Sequence, residues 1–117
     1  VRYLKEHMYH YAYMDSVSQI SFALATYNAG MGHMADARRL TMDRNRDPNN
    51  WDHVAESLLL LMQPRYFRNA RHGFVRGTEP VNYVEQIMKR YETYDKMAAF
   101  ASEDPIFRRF DEHALLP

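Results

Sequence analysis

Apolar residues recur along this chain at the three-and-four spacing of a helix, and no sustained alternation of apolar and polar residues marks a strand. That pattern restricts the fold class to all-α. A chain of 117 residues is one domain's worth, with room for about five or six helices and a modest core. The strongest segment runs Phe22-Ala23-Leu24-Ala25-Thr26-Tyr27-Asn28-Ala29-Gly30-Met31-Gly32-His33. An apolar helix there passes straight into Tyr-Asn and then two glycines, Gly30 and Gly32, which can take backbone angles closed to other residues. Tyr27 and Asn28 are therefore expected where a helix stops beside a cleft. The structural alternative is a tyrosine packed in the core and an asparagine near a C-cap.

The same spacing organises the rest of the chain. A first helix covers about residues 1–13, with Tyr3, Leu4, Met8 and Tyr11 on one side. Asp15 or Ser16 caps a second, whose stripe is Val17, Ile20, Leu24 and Tyr27. A third is expected over about residues 33–43, followed by a polar loop over residues 44–50. Trp51, Val54, Leu58 and Leu61 mark a fourth, and Pro64 ends it or starts a short one. Residues 71–78 contain two glycines and no helical period, so they read as a loop. A long helix starts near Glu79 and Pro80, because proline costs little in a first turn. Val84, Ile87, Met88, Tyr91 and Tyr94 form its buried stripe. Residues 98–117 read as an appended tail, with a short helix over residues 105–110.

Charge excludes some partners. Fifteen basic and fifteen acidic residues leave a net charge of zero, which gives no global case for nucleic acid or an anionic membrane. Arg65, Arg68, Arg71 and Arg76 do cluster, either facing an acidic ligand or forming a solvated turn. There is no cysteine, so no disulfide or thiolate metal site exists and the redox compartment is left open. The longest apolar run, residues 58–62, is too short to span a membrane, and the chain does not open with a signal-peptide pattern. His7 and His10 have the i, i+3 spacing of half a metal site, but no third ligand accompanies them and surface placement is the plainer reading. Neither a metal nor a cofactor is expected. His33 either caps the turn after the Tyr-Asn pair or reaches the cleft. Tyr9, Tyr11 and Tyr13 offer stacking surfaces for sugars or, more plainly, packing at helix edges.

Two separated motifs carry a resemblance. The first, Thr26-Tyr27-Asn28-Ala29-Gly30, resembles the Ala-Tyr-Asn-Ala-Gly motif of the lysozyme-like lytic transglycosylases of the soluble lytic transglycosylase group, which cut bacterial peptidoglycan. The second, Glu79-Pro80-Val81-Asn82-Tyr83-Val84, is similar to that family's Glu-Thr-x-x-Tyr-Val segment, with Pro80 where threonine is usual. The lead-in Gly73-Phe74-Val75-Arg76-Gly77, with His33-Met34-Ala35-Asp36-Ala37-Arg38 and Asp47-Pro48-Asn49-Asn50-Trp51, resembles a membrane-bound branch of the family. The likeness extends over about residues 1–94.

The resemblance implies a lysozyme-like helical domain represented by its C-terminal part, over residues 1–97, ahead of the tail. In the family the catalytic glutamate, in a Glu-Ser pair, and a Gly-Leu-Met-Gln segment both precede the Tyr-Asn motif. Neither stands upstream here. Glu56-Ser57, followed by Leu61-Met62-Gln63, comes too late and with the wrong spacing; it reads as a solvent-facing pair on an amphipathic helix. The implied reaction is non-hydrolytic cleavage between N-acetylmuramic acid and N-acetylglucosamine, giving a 1,6-anhydro product. One glutamic acid protonates the leaving oxygen and then acts as base, while the muramic 6-hydroxyl attacks C1. By the same resemblance Tyr27 and Asn28 contact the glycan, Tyr83 orients the acid, and Glu79 is either part of the site or a helix-start carboxylate. Gly30 is expected to allow close backbone approach. The chain lacks the family's acid, so whether it is an enzyme by itself stays open, against a non-catalytic peptidoglycan-binding module or a structural helical interaction domain. The implied partner is the peptidoglycan glycan strand, and the implied location is the bacterial cell envelope, periplasm or outer membrane. If the acid-bearing helices are absent, the remaining ones should expose apolar faces, favouring self-association or contact with a missing N-terminal part.

Overall fold

A computed structural model describes the backbone of residues 2–103 and the side chains of residues 4–92. Among the described residues there are six α-helices and no strand: α1 (Arg2–His10), α2 (Ser16–Ala29), α3 (Met31–Asp43), α4 (Trp51–Leu60), α5 (Pro64–Phe67) and α6 (Thr78–Glu103). The chain divides into two compact units, residues 1–85 and 86–117. No helix among the described residues is long and apolar enough to cross a membrane. The expected helix over residues 105–110 lies outside the described residues, as do the side chains of Tyr3 and Tyr94.

Local chemistry sets the helix ends. Asp15 caps α2 by accepting the Ser18 amide at 2.9 Å, and Asn50 caps α4 by accepting the His53 amide at 3.1 Å. Those amides would otherwise have no intrahelical acceptor. Hydrogen bonds from Ser18 hold the Asp15 carboxyl below its usual range. Pro64 opens α5, where the missing N–H is not needed.

In the first unit, α2 is the centre. It packs on α1, α3 and α4, and residues 21–26 are all buried. The expected one-sided stripe is therefore corrected: Leu24 is buried, but Val17 is 59% and Tyr27 49% exposed. The alternation Phe22-Ala23-Leu24-Ala25 explains the difference, since the small alanines admit neighbouring helices on every side. Tyr11, Phe22 and Trp51 pack ring to ring, with centroids 5.4 Å and 5.8 Å apart. Met34, Val54, Leu58 and Leu61 complete the apolar core. In α6, Val84 is buried as expected and Ile87 and Met88 are half-buried, while Tyr91 is 53% exposed and does not belong to the stripe.

Two buried hydroxyl chains bind helices together. Thr26 gives its hydrogen to the Phe22 carbonyl at 2.7 Å, leaving its oxygen to accept from the Tyr11 phenol at 2.8 Å. Thr41 likewise donates to the Ala37 carbonyl at 2.7 Å and accepts from Ser57 at 2.7 Å. Ser57 is fully buried, not solvent-facing as its sequence context implies. Its partner in the decoy pair, Glu56, does face solvent and meets Arg44 at 2.8 Å.

Burial raises the pKa of Tyr11, and the hydrogen bond with Thr26 and the guanidinium of Arg38 offset only part of that. A folded-state pKa above the unfolded one makes this contribution whole below about pH 10 and lost as pH climbs through the folded value. Alkaline titration should therefore show one phenol ionising late, together with loss of helix by circular dichroism. A Tyr11→Phe variant should lack that late phenol ionisation.

Candidate functional site

The Tyr-Asn motif closes α2. Gly30 caps α2 at its C-terminus and serves as the N-cap of α3, with φ 95° and its amide donating to the Thr26 carbonyl at 2.8 Å. This positive φ explains the glycine. A Cβ on Gly30 would meet no protein atom within 4 Å. The tight contact within the protein is at Gly32, inside α3, where a Cβ would lie 2.8 Å from Nδ1 of the His72 ring. Gly32 thus serves packing and not an unusual backbone angle, which corrects the reading of the glycine pair.

Tyr27 and Asn28 project from the last turn of α2, both exposed. The core-packed alternative for Tyr27 does not hold. His33 sits in the first turn of α3 and caps nothing: its Nδ1 is buried without a hydrogen-bond partner, and its ring lies 6.4 Å from that of His72. The His72 amide donates to the buried carboxylate of Asp36 at 2.7 Å. Asp36 therefore ties the loop after α5 to α3. On its other oxygen it meets Arg39 at 3.4 Å.

The second motif opens α6. Glu79 is in its first turn, exposed and 3.8 Å from Arg76, and Tyr83 is half-buried one turn on. Among the described residues no hydrogen bond or ring contact joins Tyr27 or Asn28 to Tyr83. A pocket of about 70 Å³ lies between α3 and the α5 region, walled by Asp36, Arg39, Asp43, Leu61, Tyr66 and Asn69. Neither Tyr27 nor Asn28 lines it.

The other segments with family-like sequence turn out to be structural. Arg38 reaches from α3 to the Pro48 carbonyl at 3.1 Å, the Tyr13 phenol at 2.7 Å and Asn49 Oδ1 at 2.8 Å. Its guanidinium also lies over the rings of Tyr11 and Phe22, 5.8 Å and 5.6 Å from their centroids. Asp47 folds the loop by accepting the Asn49 amide at 2.9 Å, and its own amide donates to His53 Nδ1 at 3.0 Å. Sequence reasoning singled out these residues without finding their partners, because each bond spans a loop or crosses to another helix.

No family model matches the chain. Curated proteins do. It is 51% identical over 82 residues to the membrane-bound lytic murein transglycosylase F of Aliivibrio fischeri, covering 68% of this chain and 17% of that protein. The chain is related to the lytic murein transglycosylases. The corresponding transglycosylase F of Vibrio campbellii is 51% identical over 82 residues, with 68% and 15% covered, and that of Shewanella frigidimarina 46% identical over 82, with 68% and 17% covered. The chain thus spans about one sixth of the length of the transglycosylases it matches. Its all-helical fold agrees with the lysozyme-like class expected from the two motifs.

Proposed function

We propose that this chain is the glycan-contacting part of a peptidoglycan lytic transglycosylase of the bacterial cell envelope. The observation that carries this reading is the exposure of Tyr27 and Asn28 at the end of a helix whose residues 21–26 are all buried. A half-exposed aromatic ring beside a free amide suits a sugar: the ring offers an apolar face, and the amide both donates and accepts. Relatives named lytic murein transglycosylases, about half identical in sequence, support the assignment of class.

In the whole enzyme the reaction needs a carboxylic acid kept protonated by an apolar cleft, to give its proton to the glycosidic oxygen. Glu56 and Glu79 both face solvent, so neither sits in such an environment. By the resemblance, the general acid is the glutamate of the family's Glu-Ser pair, which precedes the Tyr-Asn motif, with Tyr83 as its orienting partner. This chain binds the strand and the acid-bearing segment breaks it. No water enters the first product, because the muramic 6-hydroxyl is the nucleophile.

The test is to incubate the chain with purified peptidoglycan, measuring binding by co-sedimentation and 1,6-anhydro muropeptides by mass spectrometry. Saturable binding without anhydro product is expected. Asn28→Ala should weaken binding about tenfold, the worth of one or two neutral hydrogen bonds, with the helical spectrum unchanged. Anhydro products above a heat-inactivated control would place a working acid within this chain. No binding by a folded protein would favour the structural interaction domain instead.

A further inference from the structure

The polar loop over residues 44–50 is closed at its base by one histidine. His53, in the first turn of α4, holds the loop with both its main chain and its ring. Its amide donates to Asn50 Oδ1 at 3.1 Å, and its Nδ1 accepts the Asp47 amide at 3.0 Å. The second bond fixes the state of the ring. A main-chain N–H can only donate, so Nδ1 must carry a lone pair and the imidazole hydrogen is on Nε2. Protonation puts a hydrogen on both ring nitrogens, and the Asp47 amide then faces a donor in place of its acceptor.

The turn that His53 closes carries the mount of Arg38. Within it the Asp47 carboxylate accepts the Asn49 amide at 2.9 Å and the Asp47 carbonyl accepts the Asn50 amide at 3.1 Å. These bonds fold residues 47–50 into one piece, so a change at the Asp47 amide passes to Pro48 and Asn49. The Pro48 carbonyl and Asn49 Oδ1 are acceptors for Arg38, whose guanidinium lies over the rings of Tyr11 and Phe22. Phe22 belongs to α2, the helix that ends in Tyr27 and Asn28. The charged groups on the elements around His53 are Asp52 and Glu56 on α4, Arg46 and Asp47 in the loop, and Asp43 and Arg44 at the end of α3; α2 brings none. Glu56 and Arg44 are paired at 2.8 Å. These charges set the pH of the change and not its direction, because a protonated Nδ1 has no lone pair in any surroundings.

We propose that His53 is an acid-released latch: protonation of its ring breaks the bond from the Asp47 amide, frees the turn over residues 47–49 and loosens the hold of that turn on Arg38. The latch is closed while the imidazole is neutral and opens as pH falls through the range in which imidazole ionises. What it releases is the clamp on the ring cluster of α2, on the opposite side of that helix's buried segment from Gly30.

The test is nuclear magnetic resonance of the whole chain between about pH 8 and pH 5. At the upper end the ring nitrogens of His53 should show the hydrogen on Nε2. On acidification the Asp47 amide and the Arg38 Nε–H should shift with the same midpoint as the His53 ring. Protection of the Asp47 amide against hydrogen exchange, corrected for the intrinsic rate, should fall about three- to tenfold, the worth of one hydrogen bond. In His53→Asn the side-chain oxygen stands near the place of Nδ1 and accepts at every pH, so all three responses should disappear. A hydrogen on Nδ1 in the neutral ring overturns the proposal. So does an Asp47 amide or an Arg38 Nε–H that stays put while His53 titrates, or an unchanged acid response in His53→Asn. The first two measurements are made on the parent chain and stand even if the variant does not fold.

Discussion

Gly77→Ala should destabilise this protein by roughly 3 kcal/mol or more and lower its melting temperature by more than about 10 °C. Gly77 is buried where the chain enters α6, with its backbone pressed on the backbone of α4. A Cβ there would overlap the carbonyl of Leu58 and come within 3.0 Å of the Leu59 nitrogen. The obstruction is main chain inside a hydrogen-bonded helix, so no side-chain rotation relieves it; either α4 distorts or the start of α6 moves away. Gly73→Ala is the control, because that glycine has φ 71° and open space around it. It meets only the left-handed backbone penalty of about 1–2 kcal/mol. Thermal unfolding of both variants by circular dichroism checks the ordering, and near-equal losses would refute the backbone clash. Since Tyr83 follows Gly77 closely on α6, this contact also fixes the height at which the second motif starts.

Arg38→Ala should rank next, at about 3 kcal/mol. The loss comes from three hydrogen bonds made by one charged group and from its stacking over Tyr11 and Phe22. One side chain joins the turn after α1, the loop between α3 and α4, and the ring cluster on α2. Removing it leaves the Pro48 carbonyl without this donor and the Asn49 amide oxygen with only the longer bond from the Tyr13 phenol, at 3.3 Å. Arg38→Lys should recover less than half of the loss, because an ammonium keeps the charge but cannot span acceptors in different directions as the guanidinium fork does. Urea unfolding of both variants provides the measurement. Full recovery in the lysine variant would mean that charge alone, not the fork, accounts for the effect.

Much of the helical order was legible because its punctuation is local. Asp15, Asn50, Pro64 and Gly30 act within a few residues of themselves, and each marks a helix boundary in the structure. What escaped depends on neighbours distant in sequence. A 3.6-residue stripe assumes one buried side, and α2 has several. Ser57 reads as a surface residue until Thr41, on another helix, is known to take its hydroxyl. Gly32 and Gly30 look alike in the sequence, yet one makes room for His72 and the other turns the chain. The exposure of Tyr27 was readable from the glycine that ends its helix. Nothing near Tyr83 in the sequence said how it stands to Tyr27, because that depends on the fastening of the loop between α5 and α6.

Gly30 leaves α2 and α3 with one residue between them. A joint of that kind has two rotations and no slack. Any change in the φ or ψ of Gly30 swings Tyr27 and Asn28 as a rigid arm relative to the platform of α3, and with it the loop that Asp36 holds there. Adding one residue at this joint would turn a helix by about 100°. Chain length at residue 30 is therefore a gauge setting for the whole surface, and evolution can lengthen the loop over residues 44–50 far more freely than it can lengthen this corner.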